Sequence, residues 1–296
     1  MSARTSGKVI VGVDGSQSSR EALRWGHYLA GILGAQLEAV TAWQAVFEGR
    51  GRLGMAASGW DPAVEARQQL DACVDEALGP DAASVTRTAL HGAPARVLVE
   101  ASEDADLLVV GSHGYGGFAG LLLGSASASV ARHADCPVLV TRGEPTELPP
   151  VKPIVVGVDE SPSSISALRW AKAIAGTAPV HAIGVWASLY DSAPVVPNVD
   201  PQLEVEIKHE AAEHLEEATR EVFGDAENLT TTLTTGGAAR VLVEASADAS
   251  LVVVGSRGLG GFRGLLLGSV SAVCVRHSES AVLVVRGDRF SARSRA

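Results

Sequence analysis

The sequence predicts an α/β protein made of two tandem doubly wound domains, each a five-stranded parallel sheet with helices on both faces. Three observations predict it. The chain repeats itself: Arg96–Ser125 (RVLVEASEDADLLVVGSHGYGGFAGLLLGS) aligns without a gap on Arg240–Ser269 (RVLVEASADASLVVVGSRGLGGFRGLLLGS), with 24 of 30 positions identical. The openings VIVGVDGSQSSREALRW, ending at Trp25, and IVVGVDESPSSISALRW, ending at Trp170, align as well. A period of about 144 residues is domain-sized, so the repeat is a tandem duplication rather than a solenoid. Next, near-continuous Val/Ile/Leu runs alternate with helix-forming segments, the pattern of a parallel sheet covered on both faces. Lastly, each half places Gly-x-x-Gly, nine residues and then Gly-Ser directly after such a run: Gly111, Gly114, Gly124 and Ser125, then Gly255, Gly258, Gly268 and Ser269.

Each element of the first half has its own signal. Val9–Val13 is an apolar strand. A helix follows from Ser16 to about Leu33, with Ser16 or Ser18 as its N-cap. Leu37–Trp43 is the second strand. Asp61-Pro62 opens a long helix, since proline is favoured in the first turn. Ser84–Leu90 reads as the third strand, Pro94–Ser102 as a short helix and Leu107–Gly111 as the fourth strand. Gly124–His133 reads as a helix and Pro137–Thr141 as the fifth strand, and the second half repeats the order. The Pro-rich stretch between the halves sets the boundaries: a domain over 1–143, a linker over 144–152 and a domain over 153–296.

Composition narrows the function classes. The chain has 296 residues, 46% of them hydrophobic, and a net charge of −10 without a long basic run, which argues against a nucleic-acid partner. No apolar run reaches the ~18 residues of a membrane span, and the first residues lack the apolar core of a signal peptide. Cys73, Cys136 and Cys274 occupy non-equivalent places in the two halves, which fits reduced buried thiols and a cytoplasmic location. Nothing has the spacing of a metal-ligand set, so no metal site is assigned.

The glycine motifs carry the chemistry. A glycine-rich turn between a strand and a helix start lets backbone N–H groups approach an anion, and the helix dipole favours negative charge there. The same glycines also read as plain turn formers, and Asp14 and Asp159, in Asp-Gly-Ser and Asp-Glu-Ser-Pro, also read as turn and cap residues. Arg96 and Arg240 read as partners of Glu100 and Glu244 one turn on, in preference to phosphate ligands. Trp25 and Trp170 read as core, His91 as an isolated surface or core histidine, and Glu204–Glu221 as a solvated helix face. The glycine-bearing loop Gln44–Trp60 reads as a disordered connector, with a lid or a partner surface as the alternative.

With these residues in view, the chain resembles the universal stress protein family in its tandem form. The VGVDGS and VGVDES openings, the two glycine motifs and the closing PVLVTR and AVLVVR strands carry the resemblance. It implies strand order 3-2-1-4-5, which sets the ends of strands one and four side by side at a topological switch point, where open α/β sheets bind ligands. It further implies one ATP site per domain. Asp14 and Asp159 would lie near adenine and ribose, and Ala42 and Val185 at the position whose backbone contacts adenine. Gly111, Gly114, Gly124 and Ser125 would wrap ribose and phosphates in the first half, and Gly255, Gly258, Gly268 and Ser269 in the second. Ser127 and Ser271 would offer further hydroxyls, and Mg²⁺ would accompany the phosphates.

His113 and Ala119 of the first motif become Arg257 and Arg263 in the second, which predicts tighter, more salt-sensitive binding in the second half. There is no P-loop and no kinase signature. The function expected is therefore an ATP-binding, nucleotide-responsive stress module with no catalytic residue assigned. A slow ATPase or phosphotransfer enzyme and a nucleotide-free structural dimer scaffold are the alternatives. The resemblance also implies that the two closing strands pair within the chain, and it is compatible with a further homodimer.

Overall fold

The runs Val9–Val11 and Leu107–Val110 are buried on every residue, as expected of strands covered on both sides. The computed structural model describes residues 7–44, 61–114, 122–142, 146–186, 201–258 and 266–287. The chain forms two compact units, Met1–Thr141 and Arg142–Ala296.

In the first unit β1 (Gly7–Gly12), β2 (Ala35–Trp43), β3 (Thr86–His91), β4 (Leu107–Gly111) and β5 (Val138–Thr141) are joined through α1 (Gln17–Leu33), α2 (Pro62–Leu78), α3 (Pro94–Ser102) and α4 (Ser125–His133). All pairings are parallel: β1 lies between β2 and β4, β3 lies beyond β2, and β5 lies beyond β4. The order is therefore 3-2-1-4-5. Helices α1 and α2 pack together, as do α3 and α4. Strand β1 shows that the two pairs lie on opposite faces. A Cβ at Gly26 of α1 would strike Val11, whereas a Cβ on Gly12, the next residue along the strand, would lie 2.8 Å from Leu98 of α3.

The second unit repeats the plan. It contains β6 (Ile154–Val158), β7 (Val180–Trp186), β8 (Leu229–Thr235), β9 (Leu251–Gly255) and β10 (Ala281–Val285), with α5 (Pro162–Ala175), α6 (Pro201–Phe223), α7 (Ala238–Ala245) and α8 (Ser269–His277). Its parallel order is β8-β7-β6-β9-β10, the same topology.

Local chemistry sets the helix ends. Ser16 caps α1 by accepting from the Ser19 N–H, and α1 stops at Gly34, whose φ of 58° suits glycine and whose N–H returns to Ala30. Asp61 caps α2 ahead of Pro62 by accepting from the Ala63 N–H. The third strand starts later than expected. Gly79–Ser84 forms a 3₁₀ turn, the Ser84 hydroxyl donates to the Asp81 carbonyl at 2.8 Å, and the strand begins at Thr86. Trp25 and Trp170 are core residues, 0% and 2% exposed. Glu206, Glu210, Glu213, Glu216, Glu217 and Glu221 of α6 face solvent. All three cysteines are buried and none is in a disulfide. The loop over 44–60 falls, beyond Gln44, outside the described residues.

Candidate functional site

Both units fold the same constellation at the carboxyl ends of their first and fourth strands. In the first unit Asp14 follows β1, and its Oδ1 accepts from the Ser16 N–H at 3.0 Å and the Ser16 hydroxyl at 2.6 Å. This is a side-chain-closed turn, and Ser16 in turn caps α1. The reading of Asp14 as a turn former is thus correct, and the turn fixes where its carboxylate sits. The other oxygen, Oδ2, lies against Gly114: a Cβ there would sit 2.5 Å from it. Gly111 ends β4 beside the start of α1, where a Cβ would lie 2.8 Å from the Ser18 carbonyl carbon. Gly124 donates its N–H to the Ser112 carbonyl at 2.7 Å, closing the loop before α4 begins at Ser125. Gly111 and Gly114 are required by close approach rather than by unusual φ values, and Gly124 is merely tight, with a Cβ 3.3 Å from the Ser112 carbonyl oxygen.

The second unit repeats this bond for bond. Asp159 Oδ1 accepts from the Ser161 N–H at 3.0 Å and the Ser161 hydroxyl at 2.5 Å. A Cβ at Gly258 would collide with Asp159 Oδ2, and one at Gly255 would lie 2.5 Å from Ser163 Oγ. The Gly268 N–H donates to Ser256 at 2.7 Å.

Each constellation walls a cleft within its own unit. The first, of about 420 Å³, gathers Asp14, Ala42, Gly111, Gly114, Gly124, Ser125 and Ser127. The second, of about 470 Å³, gathers Asp159, Val185, Gly255, Gly258, Gly268, Ser269 and Ser271. All fourteen residues that the resemblance assigns to the nucleotide thus line one cleft or the other. Val13, Val40 and Leu98 in the first, and Val158, Ile183 and Leu242 in the second, supply apolar walls, so each cleft has a greasy floor and a polar rim. At the rim, Gly124 and Gly268 precede helices whose first turns line the clefts and receive no side-chain cap, which leaves backbone N–H groups there for an anion.

Ser127 and Ser271 lie in the wall with their protons engaged. The Ser127 hydroxyl donates to Gly111 O at 2.6 Å, and the Ser271 hydroxyl donates to Gly268 O at 3.0 Å and Ser256 O at 3.2 Å. Each hydroxyl ties the start of its helix to the glycine loop. Arg96 and Arg240 pair with Glu100 and Glu244 at 3.3 and 2.9 Å on exposed helix faces, as expected. His91 stacks edge-on against Trp43 with ring centres 4.8 Å apart. Arg257 lines the second cleft where His113 lines the first. Arg263 lies outside the described residues.

One pair of functional serines was missed. Ser18 and Ser163 donate to the carbonyls of His113 and Arg257, clamping each glycine loop to the first helix of its unit. The signal was present: both halves place serines two and four residues after the aspartate (Asp14-Gly-Ser-Gln-Ser18, Asp159-Glu-Ser-Pro-Ser163).

With the architecture and both clefts in view, the decisive comparison is with known families. The model of the Universal stress protein family matches residues 5–142 and again 150–286. The chain belongs to the universal stress protein family. Universal stress protein Rv2005c of Mycobacterium tuberculosis is 33% identical over 94% of this chain and 96% of its own length, so the tandem arrangement is shared. Among solved structures, protein PA1789 of Pseudomonas aeruginosa PAO1, described as functionally unknown, superposes with a TM-score of 0.66 over 96% of this chain and 94% of its own at 20% identity. A universal stress protein solved in complex with cAMP is 32% identical over 46% of this chain and 97% of its own, with a TM-score of 0.30. No described helix of this universal stress protein is long and apolar enough to cross a membrane.

Proposed function

We propose that each unit of this universal stress protein binds one ATP in its cleft, and that the chain acts as a nucleotide-responsive regulatory module. The observation that carries the reading is the cradle at each cleft mouth. An aspartate is fixed by the N–H and hydroxyl of one serine two residues on, and its second oxygen lies where a glycine withholds a Cβ, at Gly114 and Gly258. A cradle that excludes its own side chains beside a carboxylate suits a hydroxyl-rich, anionic ligand held by backbone. The clefts fall in the size range of small-molecule sites. In this reading Asp14 and Asp159 accept from ribose hydroxyls, Ala42 and Val185 border the base, and the glycine loops with Ser125 and Ser269 hold the phosphates. Mg²⁺ would be carried mainly by phosphate oxygens. Among the described residues no cluster of three His, Cys, Asp or Glu side chains offers it a protein cage.

The proposal extends to the boundaries: domains over 1–143 and 153–296, a linker over 144–152, and pairing of the halves through their closing strands in a cytoplasmic protein. Calorimetric titration with MgATP tests the binding. Two sites per chain, each removed separately by Gly114→Val or Gly258→Val, are expected, and an absence of uptake by the unmodified chain overturns the reading. Product analysis in single turnover separates it from the enzymatic alternative, with unchanged ATP expected on the timescale of release.

A further inference from the structure

The second unit has a feature that the repeat does not share. Beside its main cleft lies a small recess of about 60 Å³, bordered by Val158, Asp159, Glu160, Val185, His214 and Leu215 among others. It shares Val158, Asp159 and Val185 with the large cleft, so it lies at the β6–β7 end, where the base would sit. Its polar groups are Glu160, directly after the ribose-side aspartate, and His214 of α6. His214 Nδ1 stands 3.0 Å from Glu160 Oε1. That nitrogen is buried and has no aligned hydrogen bond, so the contact does not lock the carboxylate in place. Among the described residues Glu160 makes no other ion pair or hydrogen bond. Gly184 makes the floor, since a Cβ there would come within 3.2 Å of both Leu215 and Leu233.

The first unit carries different residues here. Gly15, with φ of 83°, stands in place of Glu160, and Thr41 in place of Gly184. Gln69, which precedes the buried Leu70 of α2 as His214 precedes Leu215 of α6, stands in place of the histidine. The recess with its acceptor is thus a property of the second cleft.

We propose that Glu160, backed by His214, reads the edge of the base in the second cleft, accepting a hydrogen bond from an exocyclic amino group. This rests on the nucleotide reading above. The carboxylate has no proton to give, so it favours a 6-aminopurine over a 6-oxopurine, whose oxygen would face it unpaired. The first cleft, with glycine at this position, lacks that reader. The two sites therefore differ in base selectivity as well as in phosphate affinity.

The test uses the full chain with one cleft closed at a time and compares ATP with inosine triphosphate by calorimetry. With Gly114→Val closing the first cleft, the second is expected to prefer ATP by about tenfold more than the first cleft does when Gly258→Val closes the second. Adding Glu160→Gly, the residue of the first unit, is expected to bring the preference down to that of the first cleft, with ATP still bound. Glu160→Gln, whose amide can both donate and accept, is expected to fall between. ATP binding with an unchanged preference in Glu160→Gly overturns the base reader alone. No nucleotide uptake by the unmodified chain overturns the nucleotide reading and this inference with it.

Discussion

Asp14 and Gly114 meet so closely that each constrains the other, and the same holds for Asp159 and Gly258. Gly114→Ala must displace either the loop or the carboxylate, and Gly258→Ala the same in its unit. Each is expected to weaken nucleotide at its own cleft by about tenfold or more, at an overpacking cost of about 1–3 kcal/mol, and to leave the other cleft unchanged. Site-resolved titration checks this. Arg257, an exposed guanidinium lining the second cleft, has His113 as its counterpart. Arg257→His is therefore expected to reduce both the affinity of the second cleft and its salt dependence toward those of the first. Equal affinity of the two clefts in the unmodified chain would remove that role. By contrast, Arg96 and Arg240 hold exposed pairs one turn along their helices, and truncating either is expected to cost about 0–0.5 kcal/mol and to leave binding unaltered.

Among the elements, α1 and α5 do two tasks. Their inner faces bury Trp25 and Trp170, and their first turns supply the serines whose hydroxyls donate to the carbonyls of the glycine loops. Removing Trp25, which is fully buried, is expected to destabilise the first unit by about 3–5 kcal/mol, read as a fall in denaturation midpoint. The helices and strands were legible in sequence because they carried a period and a boundary residue: Ser16 and Asp61 as caps, Pro94 in a first turn, and the glycine that ends each fourth strand. The third strand was misplaced at its start, because Gly79–Ser84 is held by local side-chain bonds that no periodicity reports. The site was legible as a set of residues, since both copies repeat the glycines and aspartates. Its internal wiring was less so. That Ser127 ties the helix to Gly111, or that Ser18 reaches the carbonyl of residue 113, depends on elements brought together by the fold rather than on spacing along the chain. The recess at Glu160 and His214 joins residues more than fifty positions apart and escaped the sequence for the same reason.

At the scale of the whole molecule, one chain carries two copies of one cleft that differ in detail. Duplication preserved the glycine–aspartate cradle and changed its rim: His113 against Arg257, and Gly15 against Glu160. A module with two inequivalent sites can respond over a wider range of ligand concentration than one with two equal sites. The thiols take no part in this. Burial pushes Cys73 up and Cys274 up to about 12, so both stay protonated through neutral pH. Thiol reagents are expected to label Cys73 and Cys274 only at the rate of unfolding, and rapid labelling of native protein would contradict that. The most direct test of the central claim is native mass spectrometry of the purified chain, without added nucleotide and then with MgATP. Two ATP masses per chain are predicted, falling to one with Gly114→Val or Gly258→Val and to none with both. A chain that carries no nucleotide and takes up none from MgATP would contradict the account.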